Sequence, residues 1–134
     1  MDASQVLKQY FGYDSFRKGQ SDIIEAILQW QDALAIMPTG AGKSVCYQVP
    51  AMLLSGITIV ISPLISLMQD QVKSLNEAGI NAAYINSTLS EQQMYKALDY
   101  AAQGKYKIIY VAPERLETMS FMTFAQKADI SMVI

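Results

Sequence analysis

An α/β fold, a parallel β-sheet flanked by helices, is what this sequence predicts, and three observations predict it. Short apolar runs recur at 33–37, 58–61, 82–85 and 107–111, and Met132-Val133-Ile134 begins a fifth. They are near-continuously apolar, as strands are when both faces of their sheet are covered, whereas half-solvated strands alternate. Amphipathic stretches of helical period separate the runs, and that alternation means βαβ units and a parallel sheet. Finally, a glycine-rich segment, Met37-Pro38-Thr39-Gly40-Ala41-Gly42-Lys43-Ser44, lies where a phosphate-binding loop sits, after a strand and before a helix.

The elements follow in order. Ile23, Ile24, Ile27 and Leu28 form the stripe of a first long helix, with Trp30 expected to pack at its end. Ala33-Leu34-Ala35-Ile36-Met37 is the strand that enters the glycine-rich loop, and a helix runs from Lys43 toward Leu54. Cys46, in its first turn, reads as a small buried hydrophobe. After the strand at 58–61, Leu64, Leu67, Met68, Val72 and Leu75 make a second stripe, closed by Gly79 as a C-cap. Beyond the strand at 82–85, Ser90-Glu91-Gln92-Gln93 is a capping box. The helix it opens has Met94, Ala97, Leu98 and Ala101 as its inner face. Lys105 and Lys107 flank the strand at 107–111 and keep its end soluble. No internal repeat, linker or low-complexity tract interrupts this pattern.

Composition limits the function. The chain has 134 residues, 51% of them hydrophobic and 16% charged, which fits one soluble globular domain and excludes disorder. No apolar run approaches bilayer-spanning length. Met1-Asp2-Ala3-Ser4-Gln5 lacks the basic-then-apolar pattern of a secretory signal. The single cysteine, Cys46, cannot form an internal disulfide, which fits a cytoplasmic protein. The net charge of −2 means that any nucleic-acid contact must come from a local patch.

The glycine-rich loop carries the chemistry. Gly40 and Gly42 let the backbone turn so that consecutive N–H groups converge on phosphate oxygens. The following helix adds its N-terminal partial positive charge. Lys43 would reach the β- and γ-phosphates, and the Ser44 hydroxyl would ligate Mg²⁺. Met37 stands where the common pattern G-x-x-x-x-G-K-[ST] has glycine; Pro38, with its fixed φ, supplies a rigid exit from the strand instead. This P-T-G-x-G-K-S form resembles motif I of superfamily 2 helicases.

Upstream, Phe11-Gly12-Tyr13-Asp14-Ser15-Phe16-Arg17-Lys18-Gly19-Gln20 precedes a helix and the loop strand by a short interval. A glutamine can pair with the N6 and N7 edge of adenine. An aromatic ring and a guanidinium can sandwich the base. Taken alone, Gln20 is equally a helix N-terminal residue and Tyr13 a core aromatic. No guanine-reading N-K-x-D segment is present, which favours ATP.

Leu7-Lys8-Gln9-Tyr10-Phe11-Gly12-Tyr13 with Phe16-Arg17 and Gln20 resembles motif 0 of the RecQ family of DNA helicases. Ser62-Pro63-Leu64-Ile65-Ser66-Leu67-Met68-Gln69-Asp70-Gln71-Val72 is similar to that family's motif Ia. Asn86-Ser87-Thr88 resembles its next turn, and Tyr110-Val111-Ala112-Pro113-Glu114-Arg115-Leu116 its motif Ib. The resemblance covers nearly the whole chain and implies an incomplete RecA-like P-loop lobe, with 1–30 as the adenine-reading region and 31–134 as the sheet core. It implies that Tyr13 and Arg17 stack on adenine and that Gln20 bonds its edge. Thr39, Gly40, Ala41, Gly42, Lys43 and Ser44 would hold phosphates and Mg²⁺. Ser62, Pro63 and Leu64, with Pro113, Glu114 and Arg115, would line the track of a single DNA strand. Both of those segments follow strands at their carboxyl ends, where open α/β sheets bind ligands. Backbone N–H groups after Ser62 are candidates for phosphate contact, and Arg115 for a phosphate or a structural ion pair.

The resemblance also implies a parent enzyme that moves 3′ to 5′ in DNA recombination and repair, in a bacterial nucleoid or a eukaryotic nucleus. P-loop ATPases need an Asp for the Mg²⁺ shell and a group that orients the attacking water. In this family they form a D-E-A-H segment directly after a strand such as Ser131-Met132-Val133-Ile134. Asp99, Glu114, Glu117 and Asp129 are not placed to substitute. The expectation is a piece of a first lobe without its catalytic acids, its second lobe or appreciable ATP turnover. A small-molecule P-loop kinase and a non-catalytic nucleotide-binding module are the competing classes. The first would need a substrate lid and an arginine-rich segment, and neither is found.

Overall fold

The computed structural model describes residues 1–35 and 42–134, in two compact units, Met1–Ser55 and Gly56–Ile134. Of the glycine-rich loop, Thr39, Gly40 and Ala41 lie outside the described residues, as do Met37 and Pro38.

The first unit is helical. Helix α1 (Ala3–Val6) starts at a capping box in which Asp2 and Gln5 each take the other's backbone N–H, at 2.8 and 2.9 Å. It runs into a π-helical turn, Leu7–Phe11, that ends at Gly12 in the left-handed conformation. Helices α2 (Gln20–Leu28) and α3 (Val45–Leu53) complete the unit. Its core is Val6, Leu7, Ile24, Val45 and Val49, each buried.

Two expectations fail in this unit. Trp30 does not pack at the end of α2: it is 66% exposed, with φ 61°. It occupies the left-handed position of a Schellman closure, its N–H donating to the Ile27 carbonyl and that of Gln31 to the Ala26 carbonyl. Residues 33–35, read as the start of the loop strand, form no strand, and Leu34 is 91% exposed. An apolar run becomes a strand only where a neighbour takes up its backbone groups, and these three residues pair with none among the described ones.

The second unit is the sheet. Strands β1 (Ile57–Ile61), β2 (Ala82–Ile85), β3 (Ile108–Val111) and β4 (Ile130–Val133) lie in the order β2-β3-β1-β4, all parallel. The central strands β1 and β3 are buried almost throughout, as their unbroken apolar runs require. Helices α4 (Ile65–Glu77), α5 (Glu91–Ala102) and α6 (Met119–Lys127) make the crossovers. The fold is the RecA-like arrangement expected of a helicase lobe: a parallel sheet flanked by helices.

The stripes explain the packing. Met68, Val72 and Leu75 of α4 are buried, and Gly79, φ 91°, closes that helix; Leu64 and Leu67, read as part of the same stripe, are 58% and 46% exposed. Helix α5 begins at the expected box, with the Gln93 N–H on Ser90 Oγ at 3.1 Å and the Ser90 N–H on Gln93 Oε1 at 2.9 Å. Its Met94, Leu98 and Ala101 join Ile59, Ile85, Ile109 and Val111 in the core.

The lysines beside β3 do more than keep its end soluble. Lys105 Nζ lies 4.4 Å from the Tyr100 ring centre, and Lys107 Nζ donates to the Gly56 carbonyl at 3.3 Å. Burial pushes the Lys107 ammonium below its ordinary pKa, while Asp129 nearby opposes that shift. Gly56 itself admits no side chain, since a Cβ there would lie 2.4 Å from both the Asp129 carbonyl oxygen and Ser131 Oγ.

Candidate nucleotide and nucleic-acid sites

The first unit brings together two of the three upstream candidates and the end of the loop. Gln20 opens α2 and is buried, 3% exposed. Its Oε1 accepts the Arg17 backbone N–H at 2.7 Å, and its Nε2 donates to the Gly42 carbonyl at 3.0 Å. A donor on one side and an acceptor on the other fix the amide's orientation. Gly42 sits at φ 76°, and a Cβ there would come 2.5 Å from Gln20 Nε2 and 3.7 Å from Arg17 Nη1. The left-handed φ favours glycine, and a Cβ there would press on the end of the Gln20 side chain. Arg17 is exposed, and the Tyr13 ring is 52% exposed rather than a core aromatic.

Lys43 and Ser44 follow at the start of α3, Lys43 exposed and Ser44 half-buried. Among the described residues no side chain caps this helix, and the Ser44 carbonyl already accepts the Gln48 N–H at 2.9 Å. A helix N-terminus preceded by a left-handed glycine and a lysine is a fitting receptor for phosphate oxygens. Its hydroxyl and adjoining lysine suit a magnesium-bound polyphosphate. Cys46 is buried, and burial raises its thiol pKa, so it packs as the small inert residue expected.

The second unit assembles the other candidates. Ser62-Pro63-Leu64 follows β1, Asn86-Ser87-Thr88 follows β2, and Pro113-Glu114-Arg115 follows β3 as a 3₁₀ turn. Parallel strands put all three at one end of the sheet, on neighbouring strands about 5 Å apart. Ser62 Oγ accepts the Leu64 N–H at 3.3 Å, which occupies one amide read as a phosphate donor. The first turn of α4, just beyond, has no side-chain cap.

Arg115 is locked through its backbone. Its N–H donates to the Ala112 carbonyl at 2.9 Å, and its carbonyl accepts the Thr118 hydroxyl at 2.7 Å. Its Nε is buried and has no hydrogen-bond partner among the described residues. Pro113 and Glu114 are exposed. Glu114 stands three residues past β3 at the carboxyl end of the sheet, where the sequence places it.

Two features escaped sequence reading. The Gln20–Gly42 bond spans 22 residues, and only the shared need for glycine and glutamine hints at it. Asn86 is fully buried; its Oδ1 takes both the N–H and the hydroxyl of Thr88, at 2.9 and 2.5 Å, and its Nδ2 lies 3.6 Å from Met68 Sδ. The signal there is the Asn-x-Thr pattern of an Asx turn.

A DEAD/DEAH box helicase family model matches residues 17–134, and the chain belongs to that family. Within it, the likeness is to RecQ helicases. The chain is 52% identical to the ATP-dependent DNA helicase RecQ of Bacillus subtilis (strain 168), over 98% of this chain and 22% of that protein. It is 47% identical to the RecQ of Haemophilus influenzae, over 98% of this chain and 21% of that one. It is also 41% identical to the ATP-dependent DNA helicase Q-like 5 of Arabidopsis thaliana, over 98% and 14%. The chain thus spans about a fifth of the two bacterial relatives.

Proposed function

We propose that the chain is the adenine-nucleotide-binding part of an ATP-dependent DNA helicase of RecQ type, moving 3′ to 5′ in recombination and repair. The observation that carries this reading is the Gln20 amide, bonded at once to the Arg17 backbone and to Gly42 of the phosphate loop. Its relatives' names supply ATP and DNA as the ligands.

Each residue then has work to do. Gln20 Oε1 and Nε2 each use one bond internally and keep one further lone pair and one further hydrogen. These match the donor N6 and acceptor N7 of adenine. At 3% exposure that pair is not displayed on the surface, so the base reaches it only as the residues around Gln20 part. Tyr13 and Arg17 cover the faces of the base. Lys43 and the α3 amides take the phosphates, with Thr39, Gly40 and Ala41 completing the cradle, and the Ser44 hydroxyl ligates Mg²⁺. The ion screens the phosphate charge. Along the sheet end, Ser62, Pro63, Leu64, Pro113 and Glu114 line the path of one DNA strand, and the Arg115 guanidinium takes a phosphate.

The chain alone turns over ATP slowly or not at all, because its sequence has no Asp-Glu pair following an apolar strand, where P-loop helicases of the resembled kind carry the acids that activate water. Steady-state phosphate release with and without single-stranded DNA tests this. The expected rate is indistinguishable from that of Lys43→Ala; a DNA-stimulated rate abolished by that substitution would contradict it.

A further inference from the structure

Strand β2 stands at one edge of the sheet, so half of its backbone groups have no strand to bond. The Asn81 and Ile85 carbonyls accept N–H groups from the residues flanking β3, Lys107 and Ala112, at 2.8 and 2.9 Å. Backbone groups alternate in direction along a strand, so those of Ala82 and Tyr84 point away from β3, to the open edge.

Ala82 is nevertheless 4% exposed, and both of its backbone groups are bonded. What covers it is one side chain from the last turn of α4. Asn76 Oδ1 accepts the Ala82 N–H at 2.9 Å, and Asn76 Nδ2 donates to the Ala82 carbonyl at 3.3 Å. One amide thus meets the N–H and the C=O of a single residue, which is the pattern of a hydrogen-bonded pair in an antiparallel ladder. The Asn76 backbone is tied down as well, its carbonyl accepting the Gly79 N–H at 3.1 Å. Tyr84 is then left to offer one N–H and one C=O along β2, too little for a strand, which runs about three residues or more. The approach to it is polar. Lys73 and Glu77 stand exposed on α4 and, with Gln69, Val72 and Asn76, line a groove of about 700 Å³ beside Tyr84. A strand laid there would strip water from both charges.

We propose that Asn76 is a stop on the β2 edge: its amide takes the place of a neighbouring strand and prevents β2 of a second copy of the chain from pairing there. Two identical edges related by a two-fold axis pair antiparallel, and that is the bonding pattern Asn76 imitates. A mere link between α4 and β2 needs only one of the two bonds.

Hydrogen exchange and sedimentation test this. In the native chain the Ala82 amide should exchange about two- to tenfold more slowly than the Tyr84 amide, corrected for intrinsic rates, the value of one hydrogen bond. Sedimentation velocity over a concentration series compares variants with unchanged circular dichroism spectra. Asn76→Ala uncovers both Ala82 groups and should self-associate more strongly than the native chain. Asn76→Asp also loses a bond, but it keeps the acceptor for the Ala82 N–H and adds a charge at the edge, so it should associate no more than the native chain. Tyr84→Pro removes an outward N–H that an edge strand can spare, and it should abolish the association of Asn76→Ala. An Ala82 amide exchanging as fast as that of Tyr84, an Asn76→Ala chain no more associated than the native one, or association that survives Tyr84→Pro would overturn the proposal. The exchange comparison needs no substitution, so it decides even where Asn76→Ala does not fold.

Discussion

The two units divide fold from chemistry. The sheet unit is held by buried residues of its parallel strands and of the helices packed on them, and its candidate nucleic-acid residues are turns that the strand ends deliver. The helical unit has a smaller core around Val6, Leu7, Ile24, Val45 and Val49, and its candidate nucleotide site hangs on one side-chain amide that joins Gln20 to Gly42. Damage to the sheet unit should therefore appear as lost stability, and damage to the helical unit as lost binding.

The largest effect tests the sheet side. Ile109 is 1% exposed on β3, between β1 and β2, so Ile109→Ala should cost about 2–5 kcal/mol in urea unfolding. A loss under about 1 kcal/mol would mean that the sheet core is not the main source of stability. On the binding side, Lys43 is exposed, so Lys43→Ala should leave the urea midpoint unchanged. ATP affinity should nevertheless fall about 10- to 100-fold, the value of one or two charge-assisted contacts. A shifted midpoint would break the division between the units.

Gly42→Ala sharpens the comparison, because it strikes conformation and bonding together. A left-handed alanine costs about 1–2 kcal/mol, and its Cβ displaces the Gln20 amide. The variant should lose any preference for ATP over GTP; retained preference in nucleotide titrations would uncouple the amide from base reading. The smallest effect is a gain. Trp30 holds a left-handed position with its ring in solvent, so Trp30→Gly should stabilise the helical unit by about 1 kcal/mol in thermal unfolding. An unchanged or lower midpoint would show that the indole packs in solution.

Legibility followed the same division. Strands β1 to β4 and helices α4 and α5 were readable because burial on both faces and capping boxes leave local patterns. Helix α6 was not: it buries only Phe121 and Phe124 and turns Met119 and Met122 outward, so its apolar residues face both ways. The run at 33–35 misled, because apolar composition gives strand propensity but not a partner. At the nucleotide site, residue types were readable from spacing, whereas the bond from Gln20 to Gly42 depends on how α2 and α3 pack. At the sheet end, the turns were readable, but the buried Arg115 Nε and Asn86 were not, since neither burial has a sequence period.

The central claim is that the Gln20 amide reads adenine beside the phosphate loop. Equilibrium titration of the chain and of Gln20→Ala with ATP and with GTP tests it most directly. The account predicts tighter binding of ATP than of GTP by the native chain and loss of that difference in Gln20→Ala. Equal affinities for both nucleotides, unchanged by the substitution, would contradict it.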